Sequence, residues 1–170
     1  ERGKSQFHGV GGPLSVSDTR IKLELLEKFM DAAEEKGIPK VNDFNKGDNF
    51  GCGYFQVTEK NGLRCSAAVG YLNPIKKRDN LKIEINCHVK KINFDGTKAS
   101  SVSFWKENEL QTVSANKEII LSAGSIGSTQ ILQTSGMGNG KKLKNLGLDI
   151  IKELNGVGQN LQDHLMFRPV

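Results

Sequence analysis

The feature of the sequence that most restricts the fold is an apolar run followed at once by small residues and a helical pattern. The run at 119–123 is almost continuously apolar, which is typical of a central parallel strand covered on both faces. Gly124 follows, and then a helix for which Ser128 is the expected N-cap. Ligands of open α/β sheets bind beyond the carboxyl ends of strands, near helix N-termini. The unit therefore predicts an α/β fold. The small size of Ala123 and Gly124 would let a nucleotide approach the backbone there, but many turns of this kind are purely structural, and both interpretations stay open.

Alternating patterns elsewhere predict further strands. Leu81, Ile83 and Ile85 alternate with polar residues, which indicates a strand with one buried face. Asp95 and Gly96 form a strong hairpin signal between two of the strands that follow. These strands are predicted at about 89–94, 100–106 and 110–122, and together they form a β-meander whose last strand ends in the apolar run.

Helical spacing is clearest in the N-terminal part of the chain. An apolar face is predicted from residues that recur every three to four positions: Leu25, Leu26, Phe29, Met30 and Ala33. Asp18 or Thr19 is expected to cap this helix, and Gly37 is expected to end it. Shorter helices are predicted at 66–72 and 141–146.

Composition argues against several classes of function. The three cysteines form no CxxC pair and the three histidines no HxxxH or HExxH pattern, so no metal site is predicted. An odd cysteine count without metal-ligand spacing indicates free thiols in a reducing, cytoplasmic compartment. The net charge of +5 comes from scattered lysines without aromatic stacking residues, so we assign it to solvated surface and not to a nucleic-acid site. No apolar run reaches the roughly 20 residues of a membrane-spanning helix.

The common nucleotide and hydrolase motifs do not occur. The sequence has no GxGxxG motif, no Walker A motif and no GxSxG elbow. Residues 136–141 come near a phosphate loop, but they are one residue short of its spacing and follow a helix.

Several short motifs occur along the chain in a fixed order. Residues 124–138 begin with glycine and a small residue and close with Ser-Gly-Met-Gly, and Thr129 stands within them. Arg78, Asn80 and Leu81 form an RxNL pattern, and residues 156–164 form a glycine-rich loop that ends in Asp-His. Earlier motifs are Phe7-His8-Gly9, Gly12-Pro13-Leu14, Asp43-Phe44-Asn45, Gly53-Tyr54 and Gly62-Leu63-Arg64-Cys65-Ser66. In this order the motifs resemble those of the glucose-methanol-choline (GMC) oxidoreductases, with Thr129 where that family usually has proline or serine.

The resemblance implies an α/β fold in two parts. Residues 9–79 would form part of the family's substrate-binding subdomain, and residues 80–170 part of its FAD-binding, Rossmann-like domain. By the same resemblance, main-chain atoms at Val89 would hold the adenine of the flavin, and Ala123 and Gly124 would lie near the adenosine ribose.

The resemblance also assigns residues to the flavin end of the cofactor. Asn160, Asp163 and His164 would lie near the isoalloxazine pocket. A structural hydrogen-bonded pair is an equally open interpretation of Asp163 and His164.

The activity implied by the resemblance is FAD-dependent oxidation of a choline-like primary alcohol to an aldehyde, with an electron acceptor as the second partner. The resemblance places the family's catalytic histidine beyond Val170, and the family's pyrophosphate-binding glycine motif has no counterpart in this sequence. No catalytic residue is therefore predicted within the chain.

Because these parts of the family site are missing, we expect the chain alone to be inactive and not to bind FAD with sub-micromolar affinity. Two alternatives stay open. One is a stand-alone adenine-nucleotide-binding module, and the other is a purely structural or interaction domain.

Overall fold

The computed structural model describes residues 2–167 and divides the chain into two compact units. The first unit extends to Ile83, and the second begins at Glu84. Helices and strands occur in both units, which confirms the predicted mixture of α and β structure. Within residues 2–167, no helix has the length and apolar character needed to cross a bilayer.

The family resemblance places the catalytic histidine after the C-terminal end of this sequence. Val170, beyond which the family resemblance places that histidine, lies outside the described residues. The expectation that the histidine follows Val170 therefore stays a prediction.

The first unit is built mostly from loops around one helix. Met30 and Cys65 are its buried apolar residues. Its regular elements are α1 at Glu24–Glu35, the antiparallel strands β1 at Glu59–Lys60 and β2 at Leu63–Arg64, and a π-helical turn at Ala68–Leu72.

Helix α1 confirms the predicted apolar spacing but not its predicted cap. It begins at Glu24 with Leu23 at the N-cap position and no side-chain cap, so the predicted caps Asp18 and Thr19 lie too far before the helix to reach its first N–H groups. Gly37 ends the helix as predicted, with its N–H donating to the carbonyl oxygen of Glu34.

The second unit contains a three-stranded antiparallel meander. Its strands are β3 at His88–Asp95, β4 at Lys98–Lys106 and β5 at Glu109–Ser114, in the order β3-β4-β5. Asp95 pairs with Lys98 across the tight turn, which confirms the predicted hairpin. Strand β3 is therefore an edge strand of this sheet.

Two predicted strands are wrong. Residues 81–85 form no strand, and β5 ends at Ser114 instead of continuing through 122. A strand requires a neighbour to exchange backbone hydrogen bonds, and no strand within residues 2–167 pairs with either segment. Ile85 and Ile120 are accordingly 70% and 78% exposed.

Beyond the meander the chain forms two helices and a short parallel strand pair. Helix α2 covers Gly124–Thr134, β6 covers Met137–Gly138, α3 covers Gly140–Asn145 and β7 covers Lys152–Glu153. Strand β6 pairs with β7, and Leu143 of α3 is completely buried.

The start of α2 differs from the prediction at Ser128. Ala123 holds the N-cap position, and the Ser128 hydroxyl reaches back to accept a hydrogen bond from the Ala123 N–H at 3.1 Å. The capping prediction was wrong because the helix already begins at Gly124, so Ser128 lies inside its first two turns.

Candidate functional site

A cavity of about 400 Å³ lies in the second unit, between the edge strand and α2. A volume of a few hundred Å³ is typical of small-molecule sites, at roughly 300–1,000 Å³. The residues that line it are Cys87, His88, Val89, Lys90, Trp105, Ala123, Gly127, Gln130, Ile131 and Thr134. Val89 and Ala123, which the family resemblance assigns to one ligand, therefore line the same cavity.

Two hydroxyl groups at the end of α2 attach the helix to the edge of β3. Thr134 donates from Oγ1 to the carbonyl oxygen of Lys90 at 3.0 Å, and Ser135 Oγ accepts from the N–H of Ile92 at 2.8 Å. Edge strands present backbone groups that no neighbouring strand satisfies. Here the end of α2 and the residue after it satisfy two of them, and one of these bonds joins Lys90 and Thr134, which both line the cavity.

Replacing Ser135 by alanine is expected to loosen this attachment. Ser135 is buried, and the change leaves the N–H of Ile92 without its acceptor, which costs about 1–3 kcal/mol. Hydrogen exchange followed by NMR should show faster exchange at the Ile92 amide, whereas Ser125→Ala, at an exposed position of α2, should leave that rate unchanged. Equal exchange rates at Ile92 in both variants would contradict the role given to Ser135.

The start of α2 is open next to the cavity. Gly124 has a φ of +78°, and no heavy atom lies within 4 Å of the position that a β-carbon would take. Ala123 is exposed, but its N–H is already used by Ser128. Ala123 therefore offers a ligand its methyl group.

The three residues predicted at the flavin end are not among those that line the cavity. Asn160 adopts a left-handed backbone with φ of 58°, and Asp163 and His164 are exposed. The carboxylate of Asp163 accepts a hydrogen bond from the His164 N–H at 2.8 Å, which is a contact between neighbours and not between two side chains. Their assignment to the flavin end stays a prediction.

A polar cluster in the first unit was not predicted. Nε2 of His8 lies 2.7 Å from Oδ2 of Asp43, whose side chain is 8% exposed, and Nη1 of Arg2 lies 3.7 Å from the same oxygen. The N–H of Asn45 donates to the other carboxylate oxygen at 2.9 Å. The hydrogen bond from His8, then the Asn45 N–H and the charge of Arg2, lower the pKa of Asp43. The only sequence signal was that His8 and Asp43 both fall in the ordered motifs.

Because its pKa is lowered on folding, Asp43 is expected to stabilise the first unit above about pH 4, where it is ionised in the folded and unfolded states. The contribution is lost as the pH falls through the folded pKa. Asp43→Asn should therefore lower the urea midpoint near neutral pH and weaken its dependence on acid. Urea unfolding at several pH values, with exposed Asp48→Asn as the control, measures this. If the urea midpoint of Asp43→Asn depends on pH in the same way as that of the unmodified chain, the stabilising role of ionised Asp43 is contradicted.

Cysteines and metal ligands add no further site within residues 2–167. Cys52, Cys65 and Cys87 are free thiols, and Cys65 is buried. No group of three His, Cys, Asp or Glu side chains in this range is arranged to hold a metal ion.

Comparisons with known proteins all indicate the same family. A family model described as GMC oxidoreductase matches residues 2–166. The chain is 42% identical over 165 residues to the mitochondrial choline dehydrogenase of Homo sapiens, a match that covers 97% of the chain and 28% of that protein. It is 41% identical over 165 residues to the oxygen-dependent choline dehydrogenase of Vibrio vulnificus, with 96% and 30% covered.

Among solved structures, an FAD-dependent oxidoreductase from Chaetomium thermophilum superposes with a TM-score of 0.88 at 34% identity. The match covers 94% of the chain and 28% of that structure. The chain thus spans less than a third of the length of these proteins.

Proposed function

The chain belongs to the GMC oxidoreductase family, and from that premise we propose that it supplies part of the FAD site of an enzyme that oxidises a choline-like primary alcohol to an aldehyde. The observation that carries the proposal is the cavity that joins Val89 to Ala123. It connects the edge strand with the start of a helix, where nucleotide ligands of α/β proteins bind. The names of the relatives, choline dehydrogenases, support the substrate class.

The residues that line the cavity fit the adenosine half of FAD. Val89 and Ile131 offer apolar surface, and Gln130 offers an amide that both donates and accepts hydrogen bonds. The backbone of an edge strand adds groups that match the polar edge of a purine. In this proposal the main chain at Val89 holds the adenine, and Ala123 and Gly124 lie beside the ribose.

The chain's part in the reaction is to bind and orient the cofactor. FAD supplies the acceptor for the hydride that leaves the alcohol carbon. Holding the adenosine half fixes one end of the cofactor, so that its reactive ring meets the substrate in one position. We place Asn160, Asp163 and His164 toward the flavin ring, and no residue of this chain is given a catalytic role.

The two parts of the chain are proposed to serve the two ligands. Residues 9–79 belong to the substrate-binding subdomain, and residues 80–170 to the FAD-binding domain. The partners of the enzyme are a small-molecule alcohol and an electron acceptor, in a cytoplasmic setting.

The proposal is tested by replacing the matched segment of human choline dehydrogenase with residues 2–166. The chimera should purify with the visible absorption of oxidised flavin and lose that absorption when choline is added without oxygen. Ala123→Tyr, which fills the cavity, should abolish flavin retention, whereas Ala123→Ser should preserve it.

Full flavin retention and reduction in the Ala123→Tyr chimera would contradict the proposed site. If the isolated chain binds an adenine nucleotide but no chimera retains flavin, the alternative of a separate adenine-nucleotide-binding module is favoured.

A further inference from the structure

The cavity has an aromatic side chain that the predicted site did not include. Trp105, the only tryptophan of the chain, lies on β4 opposite His88 and lines the cavity together with Val89. It is 40% exposed. A large aromatic side chain so far from full burial leaves apolar surface that a ligand can cover.

The position of the indole ring is supported from the neighbouring strand. The ammonium group of Lys90 lies 5.7 Å from the ring centroid, within the range of a cation–π contact. Lys90 itself is tied to α2 by the hydrogen bond between its carbonyl oxygen and Thr134. The ring is thus held at the wall of the cavity by a residue whose backbone is anchored to the helix.

Trp105 is not part of the buried core of the sheet. Its neighbour on β5 is Leu110, which is 48% exposed, so this face of the meander is open around the pair. The buried residues of the sheet are Ile92 and Ser103. Trp105 therefore faces the cavity at the margin of the packed part of the unit.

We propose that Trp105 stacks on the adenine ring of the cofactor and so selects a purine nucleotide for this cavity. The inference rests on the proposed function, since it takes the adenosine half of FAD as the ligand. Base–aromatic stacking is set by the overlap of two flat π surfaces, and truncating such a ring weakens binding by roughly tenfold or more. Lys90 fixes the ring, and its ammonium group also favours the negative charge of a nucleotide phosphate.

The experiment uses the 170-residue chain with AMP and CMP as probes. AMP should quench the fluorescence of Trp105, and calorimetry should give a weaker affinity for CMP, because a single-ring base overlaps the indole less. Trp105→Leu keeps an apolar side chain but removes the flat ring, and it should weaken AMP binding about tenfold. Trp105→Phe should restore most of the loss.

Controls separate this inference from the proposed function. Leu110→Ala changes the same open face of the sheet outside the cavity and should leave the affinity for AMP unchanged, and far-UV circular dichroism verifies that each variant is folded. If Ala123→Tyr abolishes AMP binding while Trp105→Leu leaves it intact, the stacking role is overturned and the adenosine site stands. If neither variant alters AMP binding, or AMP does not bind, both proposals are overturned.

Discussion

Replacing Leu143 by alanine is expected to lower the free energy of unfolding of the second unit by about 2–5 kcal/mol. Leu143 has no exposed surface. Its two methyl groups lie against Gly138 of β6, where a β-carbon would lie 3.6 and 3.7 Å from them. The change removes buried apolar surface and leaves a cavity beside β6.

Leu146→Ala is the matched control for this prediction. Leu146 directly follows α3 and is 60% exposed, so the same chemical change should alter stability by no more than about 0.5 kcal/mol. Trp105 is the only tryptophan and lies in the second unit, so its fluorescence during urea unfolding reports on that unit. Equal losses of stability in the two variants would show that α3 is not packed as described.

Replacing Gly136 by alanine is expected to destabilise the same unit by about 3 kcal/mol or more. Gly136 has a φ of +85°, which strains any residue with a β-carbon. A β-carbon there would also lie 2.5 Å from the carbonyl oxygen of Asp149 and 3.0 Å from the backbone nitrogen of Ile151. Because backbone atoms cannot rotate away, the segment before β7 must be displaced.

Gly147→Ala separates strain from steric overlap. Gly147 also has a left-handed backbone, with φ of +70°, but no atom lies within 4 Å of its β-carbon position. Its replacement should cost only the conformational strain, about 1–2 kcal/mol. Urea unfolding followed by Trp105 fluorescence gives the loss of stability for both variants. If Gly136→Ala loses no more stability than Gly147→Ala, the close approach of Gly136 to the backbone at Asp149 and Ile151 is contradicted.

The two ends of the family motif at 124–138 have different surroundings in the structure. Gly136 belongs to the Ser-Gly-Met-Gly sequence that closes the motif at 124–138. In the structure this end of the motif brings the chain back against β7, at the opposite end of α2 from Ala123. The start of the motif therefore lies beside the cavity, and its end packs against other parts of the second unit. Ser135 attaches that end to β3.

Features determined by neighbouring residues could be predicted from the sequence. The hairpin at Asp95 and Gly96 and the end of α1 at Gly37 depend on local backbone preferences, and both are present. The predicted cap residues were wrong because α1 begins at Glu24, well after Asp18 and Thr19, and α2 begins at Gly124, before Ser128.

Features that depend on distant segments could not be predicted in the same way. The strands predicted at 81–85 and at the end of β5 have suitable patterns, but a strand exists only where another strand pairs with it. The contact of His8 with Asp43 and the place of Trp105 in the cavity join separate parts of the chain. Val89 and Ala123 were assigned to one ligand by family resemblance, and periodicity alone gave no reason to bring them together.

The central claim is that the cavity between β3 and α2 binds the adenosine half of FAD. The most direct measurement is the change in amide chemical shifts of the isotopically labelled chain when AMP is added. We predict that the largest changes occur at Val89, Ala123 and Gly124, and that the amides of α1 in the first unit do not move. Changes that avoid these three residues, or that are confined to the first unit, would contradict the account.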